Sequence, residues 1–463
     1  MNRVALLVAA TLFMEFLDGT VIVTALPQMA QSLNTTAVDL HAGISAYLLT
    51  VAVFILPSGW LATRFGARPV FTAAILLFTA SSVLCGLANS VESFIAARVL
   101  QGVGGAMMVP VGRLVVLRTT AKQDLMRAMA VLTWPALTAP ILGPPLGGFI
   151  AEYASWRWIF LINVPIGLVG TLLAWRMIPE IARQPRKPFD GLGFLLGALL
   201  CIGAMLSLDL LGSGEDSSWR LGLLVLGTVA LGFALRHHLR RHPHPLIDFS
   251  ALQVATFRIT FLGGTAMRVL ISTMPFLLPL FFQLGFGLDP FHAGLLVLPL
   301  FIGNIGMKPL TSPILRRWGF RTVLVANGLV QAATMLGCVA LSPAMPVPAI
   351  VALLVVSGAS RSLQFTALNT LAFADVPEPW MPGANTLFSI AFQFGLGFGV
   401  AVGAVSLRLS GLATGHWDGT PGLEDFHVAF AALAILTVAA ALDGLRLARE
   451  AGHVVSGRPA PGR

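Results

Sequence analysis

Glu15 and Asp18 stand three residues apart in the apolar run FMEFLDGTVIVTALP, Phe13 to Pro27. On a helix that spacing puts both carboxylates on one face. An ionised carboxylate at the bilayer centre costs about 2.5–3.5 kcal/mol on insertion scales, which favours a cavity or a basic partner. Burial alone favours the neutral acid, whereas a neighbouring arginine favours the anion. A carboxylate that alternates between such surroundings loads and releases a proton. The bases able to answer are few. Arg98 begins a later apolar run, and Arg113, Arg268, Lys308 and Arg361 lie inside others. Arg98 is a candidate partner for either acid. Arg113 and Lys308 can snorkel to water, whereas Arg268 and Arg361 lie deeper. Those two admit zwitterionic or anionic substrates, or pair internally. Gln393, Asn304, Gln364 and Asn369 add neutral hydrogen-bonding groups for a cavity, and Phe392 an apolar wall.

The elements that must position these groups are membrane spans. Of 463 residues, 56% are hydrophobic and only 11% charged, against about a quarter charged in soluble domains. Apolar runs of roughly 20 residues recur along the chain. Hydropathy predicts an all-α polytopic membrane protein with about fourteen spans, two of them near 128–151 and 191–211. The net charge of +9 is spread over short basic clusters between apolar runs, which orient a membrane protein rather than bind nucleic acid. With the N-terminus in the cytoplasm, 21 of the 29 Lys and Arg fall on the cytoplasmic side, 3 on the other and 5 within spans. Both termini are therefore expected in the cytoplasm, although the loop FADVPEPWMP carries no basic residue.

Other chemistries find little support. Cys85, Cys201 and Cys338 each lie in an apolar run and show no pairing by spacing. HPHP at 242–245 is a lone pair of loop histidines, so no metal site is expected. The chain lacks G-x-x-x-x-G-K-[ST], so ATP is not expected as the direct energy source and no cofactor is implied. The longest loop, about 236–258, is too short for a soluble sensory or catalytic domain, which makes a non-transporting receptor or an enzyme a remote reading.

A repeat organises the spans. TRFGARPVFTA (Thr63–Ala73) and RRWGFRTVLVA (Arg316–Ala326) match at five positions with an offset of 253, among them Arg64/Arg317, Gly66/Gly319 and Arg68/Arg321. Gly143 and Gly147 correspond to Gly395 and Gly399 at an offset of 252. The expected plan is six plus two plus six: a first bundle over 1–180, a linker with two inserted spans over 181–250, a second bundle over 251–450, and a tail over 451–463. Parallel halves around a central cavity are a common transporter plan.

LDGTVIVTALP, GWLATRFGARP, ARVLQGVGGA, GPPLGG and SWRWIFLINVPIG occur in that order in the first half. Together they resemble the major facilitator superfamily, and within it the fourteen-span drug:proton antiporter branch. The second half matches by architecture more than by motif. The resemblance implies a multi-pass protein of a bacterial inner membrane that exports small molecules in exchange for protons by alternating access. It implies proton coupling by Asp18 with Arg98, whereas Glu15, outside that motif, stays open as a second proton site, a substrate contact or the structural partner of Arg98. It also implies a sealing antiporter motif at Gly143, Pro144, Gly147 and Gly148, and gating loops at Gly59, Arg64, Gly66, Arg68, Arg317, Gly319 and Arg321. Arg268, Arg361, Gln393 and Asn304 are the expected cavity residues, and the alternative cargo is an anionic metabolite or metal chelate. Two departures stand out. Thr63 replaces the aspartate usual in the loop motif, which removes a charge from the gate. Ala139 stands where glycine is frequent, a milder change.

Overall fold

The computed structural model describes residues 3–35, 37–180, 188–213, 218–414 and 421–456. The regular structure among them is helical. The first half comprises α1 (Arg3–Ser32), α2 (Ala37–Phe54), α3 (Ser58–Phe65), α4 (Ala67–Leu87), α5 (Val91–Thr119), α6 (Leu125–Tyr153), α7 (Trp158–Leu161) and α8 (Asn163–Met177). Two inserted helices follow, α9 (Gly191–Ser213) and α10 (Ser218–Arg241). The second half comprises α11 (Ala255–Leu280), α12 (Pro290–Gly306), α13 (Lys308–Trp318), α14 (Phe320–Val339), α15 (Val347–Ala374), α16 (Met381–Thr414) and α17 (Leu423–Asp443), before a short α18 (His453–Ser456). Among the described residues ten helices are long and apolar enough to cross a membrane, and two bent pairs bring the number to twelve. Helices α6 and α9 overlap the stretches expected near 128–151 and 191–211 but are not among these twelve, α9 qualifying only as a shorter apolar helix, Gly191–Ser207.

The bent pairs are α2–α3, at 57°, and α12–α13, at 53°. Each is followed by a glycine with positive φ, Gly66 at 97° and Gly319 at 77°, that turns the chain into the next helix. An L side chain is disfavoured in that region, which explains why glycine recurs at the centre of both R-x-G-x-R loops. Packing follows the same duplication. In the first half α1 packs on α6, while α4 and α2 both pack on α5; in the second, α11 packs on α16, while α14 and α12 both pack on α15. Lipid supplies no hydrophobic drive between helices, so close backbone approach at small residues holds them. A β-carbon at Gly104 of α5 would lie 2.8 Å from the Phe78 amide nitrogen of α4.

The inserted pair is asymmetric in its burial. Helix α9 packs against α2 of the first half and α16 of the second, with Leu56 lying over Gly197. Helix α10 packs on α9 and otherwise presents Leu223, Leu226 and Phe233 outward, as a lipid-facing helix should.

Candidate functional site

The acid pair on α1 divides into two unlike environments. Asp18 is buried. Its Oδ2 accepts from Arg98 Nη1 of α5 at 2.6 Å. Its Oδ1 accepts from Gln101 Nε2 at 3.0 Å and from Asn163 Nδ2 of α8 at 2.9 Å. Gln101 Nε2 also donates to Ser82 Oγ of α4 at 2.9 Å, and Arg98 Nη1 donates to Gln101 Oε1 at 2.6 Å. The Arg98 guanidinium lies over the Tyr47 ring of α2, 4.2 Å from its centroid. Five helices thus converge on one carboxylate, and both its charge and its lone pairs are compensated.

Glu15, one turn away, is equally buried, yet its Oε2 has no hydrogen-bond partner and it forms no ion pair among the described residues. It sits beside Gly105 of α5, at whose β-position Tyr47 Oη would lie at 2.9 Å and Glu15 Oε1 at 3.3 Å. Glycine at 105 is what leaves room for the carboxyl and the phenol together. Arg98 therefore partners Asp18, and Glu15 is the acid whose charge the surroundings do least to compensate. Gln101, Asn163, Ser82 and Tyr47 are absent from the candidate residues read from sequence. Gln101 and Asn163 do lie inside the quoted motifs ARVLQGVGGA and SWRWIFLINVPIG, which was the available signal.

The arginines of the second half line up along phenylalanines. Arg268 of α11 is buried and lies 4.4 Å from the centroid of Phe388 of α16. Arg113 of α5 lies 4.7 Å from the same ring and donates to Ser389 Oγ at 3.2 Å. Phe388 stacks on Phe392, which meets Phe365 edge-on, and Arg361 lies 5.7 Å from the Phe365 centroid. Nε and Nη2 of Arg268, and Nε and Nη1 of Arg361, are buried without hydrogen-bond partners. Read from sequence as a snorkelling residue, Arg113 is instead buried against the other half. A small cavity of about 30 Å³ between the halves is lined by Arg113, Asn369, Phe392, Thr133, Phe16 and Leu12. Asn304 is buried with both amide atoms unpartnered, and Gln393 is half-buried. Gln364 instead bridges Asn327 and the Leu324 carbonyl within the second half. At the repeat offset of 253 Glu15 falls on Arg268, so matching positions of the two halves carry opposite charge.

The expected sealing and gating residues separate by what they touch. Gly143 of α6 sits directly on Thr20 of α1, where a β-carbon would collide with the hydroxyl; Thr20 in turn donates to the Ala139 carbonyl at 3.2 Å. Gly147 is buried, and the surroundings of Pro144 and Gly148 lie outside what the structure describes. Gly395 and Gly399 of α16 repeat this against Arg268 and Ser272 of α11. Gly59 of α3 meets the other half, lying against Thr386 and the Pro382 carbonyl of α16. Nearby, Asn385 donates to the Pro110 carbonyl at 2.6 Å, and Lys122 to the Ala374 carbonyl at 3.4 Å. Thr63 donates to carbonyls of its own helix, at Gly59 and Trp60, as a hydroxyl in place of a charge would. Arg68 stays within the first half, 3.7 Å from Glu180 and over the Trp175 ring. Arg64 is half-buried, Arg317 is exposed, and Arg321 lines a surface cleft with Trp318 and Arg449.

A twofold-repeated bundle with a buried acid–arginine pair can be compared with known proteins. The family model described as the Major Facilitator Superfamily matches residues 8–400. The chain belongs to the major facilitator superfamily. It is therefore a multi-pass membrane transport protein and not an enzyme. Among its relatives is MdtD of Klebsiella pneumoniae (strain 342), provisionally named for multidrug resistance, which is 39% identical over 96% of this chain and 94% of its own length. The MdtD of Pectobacterium atrosepticum is 40% identical over 87% of this chain and 86% of its own. Among solved structures, the proton:xylose symporter XylE superposes with a TM-score of 0.64 at 15% identity, covering 95% of this transporter and 94% of XylE. The human organic anion transporter MFSD10 superposes with a TM-score of 0.65 at 15% identity, covering 96% and 99%. At that identity the likeness is one of fold.

Proposed function

We propose that this transporter is a proton-coupled exporter of small amphipathic compounds, working by alternating access in a bacterial inner membrane with both termini in the cytoplasm. The observation that carries it is the contrast between two carboxylates on one helix face: Asp18 held by Arg98, Gln101 and Asn163, and Glu15 with Oε2 unpartnered. A buried carboxylate without a cation is the one a proton relieves most. Glu15 is accordingly the proton carrier in this conformation, and the Asp18–Arg98 pair is the charged anchor beside it. The names of the MdtD relatives support the cargo class. The contacts of Gly59, Pro110 and Lys122 with the second half join the halves at the end bearing the basic loops, where a cavity of about 1080 Å³ lined by Thr119, Arg127, Lys308 and Arg316 also lies between them. The test is dye efflux in everted vesicles with an imposed pH gradient. Glu15→Gln should abolish the gradient-driven component, and undiminished gradient-driven efflux would overturn the assignment.

A second reading concerns cargo charge. Arg113, Arg268 and Arg361 form no ion pair among the described residues, although they sit between or beside the halves. Burying a charge without a counter-ion is costly, and an anionic metabolite or metal chelate would supply one. Arg268→Gln should then abolish export of an anion while leaving export of a cationic dye intact. Equal export of the anion by the variant would make the arginines structural.

A further inference from the structure

The sequence motif HPHP carries no metal signal by itself, but folding brings His242 together with two residues outside that motif. Asp190 lies just before α9, His238 lies on the last turn of α10, and His242 follows directly after its end, its amide donating to the His238 carbonyl. The donor atoms of these three residues all lie within 4.8 Å of one another. His238 Nε2 is 2.8 Å from Asp190 Oδ1, and the two imidazoles have centroids 5.0 Å apart. The Asp190 side chain is 1% exposed and that of His238 15%, whereas Arg236, Arg240 and Arg241 of the same turns are exposed. Two imidazoles and one carboxylate on a shared face are a donor set suited to late first-row divalent cations.

We propose that Asp190, His238 and His242 form a binding site for one divalent transition-metal cation of the zinc class at the adjoining ends of the inserted helices. Tetrahedral zinc with bonds near 2.0–2.1 Å holds its donor atoms about 3.3 Å apart. The Asp190–His238 contact therefore opens by about half an ångström to admit the ion. The 3.2 Å bond from the His244 amide to His242 Nδ1, which is exposed, gives way. His238 and His242 are half-buried, so the cluster is not sealed from solvent. The same carboxylate accepts from the Leu246 amide at 3.2 Å through Oδ2, at the start of the linker into the second half. Two residues on, Asp248 lies against Gly383 at the start of α16, near the Thr386 and Asn385 contacts between the halves. An ion on Asp190 thus tightens the point where the insertion, the linker and α16 converge.

The experiment uses the full-length, tag-free transporter, stripped with chelator and titrated with zinc alone by calorimetry, with thermal unfolding measured in parallel. One equivalent of zinc should bind. The His238→Asn/His242→Asn variant should bind at least tenfold more weakly, and zinc should raise the melting temperature of the parent but not of the variant. Zinc binding of equal stoichiometry and affinity in the variant, or none in the parent, would overturn the site. Asp190 also accepts from the Gly193 amide at the start of α9, so Asp190→Asn risks a folding defect. The histidine variant, which leaves that cap intact, decides in that case.

Discussion

Replacing Asp18 by Asn or Glu15 by Gln removes one negative charge from the same face of α1, and the structure predicts unequal consequences for stability. Asp18→Asn leaves the Arg98 guanidinium buried with its counter-ion gone, and Nε and Nη2 of that arginine are already without partners. Breaking a buried pair from one side costs about 3–5 kcal/mol. Glu15→Gln substitutes a neutral amide for a carboxyl that has no cation, a change of about 1 kcal/mol or less. A thiol-reactive dye reads the difference, because Cys85, Cys201 and Cys338 are free and buried and become reactive on unfolding. Asp18→Asn should melt several degrees below the parent in detergent, and Glu15→Gln within a degree or two. Removing the orphaned charge as well, in Asp18→Asn/Arg98→Gln, should restore a large part of the lost stability, the non-additivity expected of direct partners. Both single variants should fail in gradient-driven dye efflux, one through a damaged anchor and the other through a missing proton site. If Asp18→Asn melts with the parent, the pair does not hold the five helices together. A Glu15→Gln variant that melts normally and still pumps would refute the division of labour.

Other outcomes follow from single contacts. Gly59→Val should keep α3 off Thr386 and Pro382 of α16; a normal melting temperature with transport reduced at least tenfold is expected, and full transport would show that this contact does not gate. Gly143→Val drives a side chain into Thr20 and should cost about 1–3 kcal/mol by overpacking, read as a lower melting temperature together with proton leak in vesicles. Gly319→Ala places a side chain at a φ of 77° and should cost about 1–2 kcal/mol, whereas Gly306→Ala, a helical position with open space around it, should be neutral.

Much of the architecture is legible in the sequence because membrane spans and repeats leave strong traces. The loop pair around Gly66 and Gly319 reports the duplication, and the structure adds that the helix before each loop is broken at a similar angle. The site is only half legible. Acids and arginines in apolar runs announce themselves, but sequence separation says nothing of who meets whom, so Glu15 and Asp18 remain equal suitors for Arg98 until α4, α5 and α8 are packed. Neutral partners such as Gln101, Ser82 and Asn163 raise no alarm in an apolar helix, since one amide or hydroxyl is tolerable there. Arg113 misleads for a different reason. Its nearness to a helix end predicts escape to water, yet that end is covered by Phe388 and Ser389 of the other half. His238 and His242 look solvated until Asp190 arrives from 48 residues away.

The position of α9 bears on how cargo reaches the protein. Lying across both α2 and α16, it fills the lateral groove that the two halves would otherwise present to the acyl chains on that side. An amphipathic compound dissolved in the bilayer cannot slip in there without displacing a helix. At the other seam no extra helix intervenes, and α6 packs directly on α12, α13 and α15 of the second half. The two extra helices thus give a pseudo-symmetric molecule a front and a back with respect to lipid: one seam is roofed by an additional helix, and the other is formed by the two like halves alone.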